Sequence, residues 1–135
     1  MENSLGILKP DCLKRGLEKE VLSIIEASGL RIVKKRIILL TEQEVKIVWS
    51  TCVNEWFFPS MVEFMTSSES IVFVVEGVSA IERLNDLVGK YDPALAEKHT
   101  IRYKYGTNKM ENIIHSSLNK EEYIKEYNLF FNQMP

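Results

Sequence analysis

His115 closes a short apolar run, Asn112-Ile113-Ile114-His115, and two hydroxyls, Ser116 and Ser117, follow at once. A strand that carries an imidazole to its end, with hydroxyl partners beside it, can present a nucleophile. A purely structural histidine is the simpler alternative, and the chain has one other histidine, His99. Lys9 is a second candidate. The apolar segment 5–8 stops at Lys9-Pro10-Asp11 because proline cannot donate to a sheet ladder, which leaves the lysine at a strand end, where ligands are met. A third is the aromatic turn Trp56-Phe57-Phe58. Such a cluster belongs to a core unless one ring is exposed to stack on a flat ligand. Cys12 and Cys52 lie far apart and near no histidine pair, so they suit no zinc pattern and read as free thiols of a reducing compartment.

The elements that must position these residues follow from periodicity and caps. Leu17, Val21, Ile24 and Ile25 recur at helical spacing, and Gly29 closes that helix. Residues 30–40 are rich in isoleucine and valine without glycine or proline, which predicts a strand whose Lys34-Lys35-Arg36 run faces solvent on one edge. Thr41 and Glu44 form a capping box for a helix that buries Val45, Val48, Trp49 and Cys52. Residues 54–59 break it, and Val62, Phe64 and Met65 suggest a further short helix. Residues 70–76, continuously apolar, predict a central strand. Ser79 and Glu82 read as a second capping box, before a helix that buries Ile81, Leu84, Leu87 and Val88 and stops at Gly89. Residues 89–111 show no sustained periodicity, yet hold Tyr91, Tyr103, Tyr105, Arg102, Lys104 and Lys109, so they read as a long functional loop leading into His115. Asn119 and Glu122 cap a last helix with Tyr123, Tyr127 and Phe130 inward.

Four strands interleaved with two principal crossover helices predict an α+β, ferredoxin-like βαββαβ sandwich: a four-stranded antiparallel sheet with added helices. Helices on one side only would leave the other side of the sheet for assembly. The 135 residues form one domain, large enough to bury a core without disulfides or metal. A net charge of −2 shows no basic excess, so a broad cationic face for nucleic acid is disfavoured, as is an RNA-binding ferredoxin-like domain, whose aromatic sheet motif is missing. The N-terminus lacks a basic segment followed by an apolar one, and no apolar run approaches a membrane span. The chain reads as cytoplasmic, with no membrane partner.

With these elements in order, the chain resembles nucleoside diphosphate kinases from about Leu5 to its end. The likeness is carried by Leu8-Lys9-Pro10-Asp11, Lys14-Arg15-Gly16, Trp56-Phe57-Phe58, Val62 through Ser67, Glu76-Gly77, Thr100-Ile101-Arg102 and Glu111 through Ser117. The resemblance implies that His115 takes the γ-phosphate of a nucleoside triphosphate, typically ATP, and passes it to a nucleoside diphosphate in a ping-pong reaction through phosphohistidine. It implies Glu126 as the acceptor that fixes the imidazole tautomer, with Ser117 in support, and positioning and charge neutralisation as the main sources of catalysis. Lys9, Arg102 and Asn112 match the family's phosphate and sugar contacts, and Phe57 the ring that stacks on the base. Magnesium is expected to arrive with the nucleotide rather than in a protein cage.

Several positions depart from the family pattern. Asn85 stands where an arginine is usual and Tyr91 where a threonine is usual, both at nucleotide-binding positions. Asparagine cannot replace a bidentate cation. Tyr103-Lys104-Tyr105 replaces Gly-Asp-Phe, Leu118 replaces an aspartate, and Trp49 replaces a tyrosine. The resemblance also implies a homo-oligomer, tetramer or hexamer, with the loop that carries Tyr91 and Arg102 in subunit contacts. The alternative to an active kinase is a nucleotide-binding regulatory relative with little turnover.

Overall fold

The computed structural model describes residues 1–131; residues 132–135, the end of the expected single domain 1–135, lie outside the described residues. The elements run β1 (Glu2–Leu8), α1 (Pro10–Lys14), α2 (Glu18–Ala27), β2 (Arg31–Ile38), α3 (Glu42–Val48), α4 (Phe58–Met65), β3 (Ser70–Gly77), α5 (Ala80–Val88), α6 (Ile101–Tyr105), β4 (Ile114–Ser116) and α7 (Lys120–Phe131). The strands pair antiparallel in the order β2-β3-β1-β4. This is the expected βαββαβ sheet with helices inserted and appended.

Successive strand residues point to opposite faces, so a strand that is apolar throughout needs cover on both. On one face Leu8, Phe73 and Val75 pack with Val21 and Ile25 of α2 and with Leu84 and Val88 of α5. On the other, Leu5, Ile7, Val72 and Val74 pack with Val45 and Val48 of α3, Met65 of α4 and Phe130 of α7. The expectation of helices on one side is therefore corrected: α3, α4 and α7 cover the face it left open. Gly6 permits the close packing of β1 on β3, because a Cβ there would fall 2.4 Å from Cζ of the buried Phe73 ring.

The caps divide by the range of their contacts. At α3 the Thr41 hydroxyl accepts from the Glu44 amide at 3.2 Å and the Glu44 carboxylate accepts from the Thr41 amide at 2.9 Å, as the sequence predicts. At α5 the expected Ser79–Glu82 box is absent. Ser79 has φ 52°, its side chain caps nothing, and the carboxylate of Glu2 accepts from the Ile81 amide at 3.0 Å instead. The stretch 89–111 is not structureless either. It holds a 3₁₀ turn at Pro93–Leu95 capped by Asp92, and α6 capped by Thr100. Five residues are too few for periodicity to register. The edge strand β2 does expose Lys34, Lys35 and Arg36, although Lys34 donates to the Tyr127 hydroxyl and Arg36 Nη1 donates to the Phe130 carbonyl at 2.6 Å.

Candidate active site

β4 is only three residues long, and β1 holds it in register, with Ile7 opposite His115. The chain then turns into α7, where Asn119 accepts from the Glu122 amide at 2.9 Å. The Glu122 carboxylate accepts from the Leu118 amide at 3.3 Å, one residue beyond the Asn119 amide expected as the reciprocal partner. This turn brings Glu126, fully buried in α7, beneath the imidazole. His115 Nε2 is 3.2 Å from both Glu126 oxygens, and the Ser117 hydroxyl donates to Oε1 at 2.6 Å. A carboxylate only accepts, so the network assigns the ring hydrogen to Nε2 and leaves a lone pair on Nδ1. The Trp49 ring stands edge-on to the imidazole, with centroids 5.0 Å apart. The His115 side chain remains 12 % exposed, so its surroundings fix its orientation without sealing it off.

A second group lies beside the first. Lys9, at the N-terminal end of α1, is buried; its Nζ donates to Asn112 Oδ1 at 2.8 Å and to the Met110 carbonyl at 3.1 Å. It also lies 5.8 Å from the Trp49 ring centroid. The Asn112 amide donates to the carbonyls of Tyr91 at 2.7 Å and Lys109 at 3.0 Å. Arg102, on α6, donates to the carbonyls of Gly89 at 2.8 Å and Ile114 at 2.6 Å, while its buried Nε has no partner among the described residues. Burial pulls the Lys9 ammonium from 10.5 down to about 7, with the Arg102 charge adding to the effect and Asp11 opposing it. Burial likewise lowers Arg102 to about 10. Two desolvated cations side by side make a well for an anion, because an arriving phosphate relieves both shifts.

Asp11 and Ile113 are site residues that sequence reasoning missed. Ile113 has φ 79°, a left-handed conformation that is strained for a β-branched residue. Asp11 Oδ2 accepts from the Ile113 amide at 3.1 Å, and the Ile113 carbonyl accepts from the Lys9 amide at 2.9 Å. These bonds hold the reversal that sends Asn112 toward Lys9 and the strand toward His115. Burial raises the Asp11 carboxyl above its usual range, against the pull of Lys9. Isoleucine carries no signal for positive φ, and the Asp11–Ile113 bond spans 102 residues, so no local pattern could have shown it.

The remaining expected residues are more dispersed. Asn85 on α5 donates from Nδ2 to the Ser117 carbonyl at 3.1 Å and the Leu118 carbonyl at 3.2 Å, and its Oδ1 accepts from the Ser116 hydroxyl at 2.6 Å. Tyr91 reaches the site with its backbone carbonyl; its ring is exposed, with Lys109 Nζ 6.0 Å from the centroid. Phe57 is half-buried at the start of α4, edge-on to the exposed Trp56 at 5.8 Å. The structure thus joins His115, Ser117 and Glu126 in one group and Lys9, Arg102 and Asn112 in another. Asn85 touches the backbone just beyond His115, and the rings of Phe57 and Tyr91 belong to neither group.

Comparison with known proteins bears on this geometry. A family model described as nucleoside diphosphate kinase matches residues 2–135. The nucleoside diphosphate kinase of Thermobifida fusca is 40 % identical over 131 residues, which cover 97 % of this chain and 97 % of that one. That of Anaplasma phagocytophilum is 38 % identical, over 98 % of this chain and 94 % of the relative. Among solved structures, the enzyme of Encephalitozoon cuniculi aligns with a TM-score of 0.95 at 30 % identity, covering 100 % of this chain and 93 % of that one. The Halobacterium salinarum enzyme, solved in complex with CDP, gives 0.92 at 30 % identity, covering 98 % and 88 %. A strand-end histidine on a buried carboxylate, next to a cationic well, stands in a chain that belongs to the nucleoside diphosphate kinase family.

Proposed function

We propose that His115 is the phosphoryl carrier of this kinase. Nδ1 attacks the terminal phosphorus of a nucleoside triphosphate, a nitrogen–phosphorus bond forms, and the bond from that phosphorus to the bridging oxygen breaks. The departing nucleoside diphosphate leaves with the electron pair. A second nucleoside diphosphate then takes the phosphoryl group by the reverse displacement. Nε2 keeps its hydrogen on Glu126 throughout, so positive charge that develops on the ring meets a fixed carboxylate. The observation that carries the reading is the buried Glu126 carboxylate, set 3.2 Å from Nε2 and held by Ser117.

Lys9 and Arg102 supply positive charge to the phosphates, Asn112 and Tyr91 line their approach, and Phe57 offers a ring to the base. Stacking discriminates poorly among bases, which suits several nucleotides as substrates. Glu126 is committed to His115 and Ser117, and one oxygen of Asp11 to the Ile113 amide, so the donor set fits phosphates that bring their own Mg²⁺. When bound with the nucleotide, that ion neutralises charge on the phosphate oxygens. The exposed apolar side chains Val33, Ile37 and Leu39 along the β2 edge favour a homo-oligomer, tetramer or hexamer; a monomeric mass by light scattering would exclude it. No helix among the described residues is long and apolar enough to cross a membrane. The departures at Tyr91 and Leu118 leave the contacts of Glu126 with His115 and Ser117 intact, so a regulatory relative without turnover is not favoured.

Incubation with γ-labelled ATP and magnesium tests the proposal. Wild type should take up acid-labile label that GDP chases off, and His115→Ala should take up none. A wild-type protein that never acquires label would overturn it.

A further inference from the structure

We propose that Asn85 is a positioning residue for phosphoryl transfer and not a phosphate ligand: from α5 its carboxamide clamps the backbone that follows His115. The inference rests on His115 as the nucleophile. Phosphate oxygens only accept, so a side chain must have a free donor to bind them. Asn85 has two donor hydrogens, both on Nδ2, and both are given to backbone carbonyls, at 3.1 Å to Ser117 and 3.2 Å to Leu118. The orientation of the amide is not arbitrary. Turning it over would set Oδ1 against two carbonyl oxygens, acceptor against acceptor. Its Oδ1 instead accepts from the Ser116 hydroxyl at 2.6 Å.

Three consecutive residues after the histidine are therefore tied to one side chain on a neighbouring helix. That segment needs such a tie. β4 is three residues long and, among the described residues, pairs only with β1, at the edge of the sheet. Beyond it, the Ser117 amide makes one further bond, to the Leu5 carbonyl at 2.9 Å, before the chain turns into α7. Ser117 is also the residue whose hydroxyl fixes the Glu126 carboxylate. Asn85 thus acts on His115 at second hand: it holds the Ser117 backbone, Ser117 holds Glu126, and Glu126 holds Nε2. An arginine here could reach outward to an anion; the shorter asparagine is turned inward to the strand end.

Steady-state kinetics with ATP and GDP, together with single-turnover labelling of His115, separate a clamp from a phosphate contact. Asn85→Leu removes every hydrogen bond at similar size. Its kcat and labelling rate should fall about ten- to a hundredfold, the scale for a misplaced reacting group, with KM for ATP unchanged. Ser116→Ala should fall in the same direction by less, and Ser116→Thr, which keeps the hydroxyl, should restore the rate. If Asn85→Leu does not fold, the Ser116 pair decides by the same criterion. A raised KM with kcat preserved in Asn85→Leu, or wild-type rates in both Asn85→Leu and Ser116→Ala, would overturn the inference. Failure of wild type itself to label would refute the nucleophile instead.

Discussion

Replacing Glu126 by glutamine tests the tautomer argument with almost no change in shape. The carboxylate is fully buried, and each of its oxygens lies 3.2 Å from His115 Nε2, with Oε1 also accepting from Ser117 at 2.6 Å. A glutamine that keeps its oxygen on Ser117 turns its amide hydrogens toward Nε2–H, donor against donor. The ring then loses its charged acceptor or moves its hydrogen to Nδ1, which removes the attacking lone pair. A hydrogen bond to a charged group contributes about 1.5–3 kcal/mol. At about 1.36 kcal/mol per decade of rate, the loss corresponds to roughly a 10- to 150-fold slower labelling of His115. Glu126 lies on the Nε2 side of the ring, opposite the proposed attacking Nδ1, so the ATP concentration at half-saturation should not move. Rapid-quench labelling with γ-labelled ATP measures both quantities, and thermal melting checks that the buried amide is tolerated. A labelling rate within twofold of wild type in a folded variant would refute the role given to Glu126.

Two further outcomes follow from the phosphate side. Lys9 is held at about 7 in the fold against 10.5 unfolded, so between those values the unfolded chain binds the extra proton and stability climbs with pH. Urea unfolding from pH 7 to 10 should rise more steeply for wild type than for Lys9→Met, and parallel curves would count against the desolvated cation. Gly89→Ala should destabilise by about 1–3 kcal/mol in thermal melts and weaken ATP binding. The residue has φ 93°, a Cβ there meets Thr100 at 2.6 Å, and its carbonyl anchors Arg102, so unchanged melting and affinity would contradict the packing described.

Much of the fold was legible because its signals are local. The strand at 70–76 is apolar and buried from Ile71 through Val75, and a strand with that pattern must be central and covered on both faces. That same pattern contained the correction to the one-sided sheet, since Val72 and Val74 need partners as much as Phe73 and Val75 do. Thr41 and Asn119 act as caps through residues three positions away, and sequence spacing reads such contacts well. Ser79 failed as a cap because its backbone is left-handed, and the Ile81 amide takes its acceptor from Glu2, 79 positions away from Ile81. Residues 101–105 form a helix that sequence could not show, since one and a half turns carry no period.

The site divides along the same line, and the division explains where this chain could depart from its family. The carrier group is short-range: Glu126 is 11 positions from His115 and 9 from Ser117, on a strand, turn and helix that follow one another. The proposed phosphate well is long-range, joining Lys9 to Asn112 across 103 positions and Asp11 to Ile113 across 102. A change at Tyr91 or in 103–105 alters one wall of that well and leaves the histidine's own supports in place, so it should register in nucleotide affinity before it registers in turnover. Asn85 is the exception because it lies 31 positions from Ser116 yet bonds to the carrier segment itself. Of the departures at Asn85, Tyr91 and 103–105, it is the one whose removal should register first in kcat.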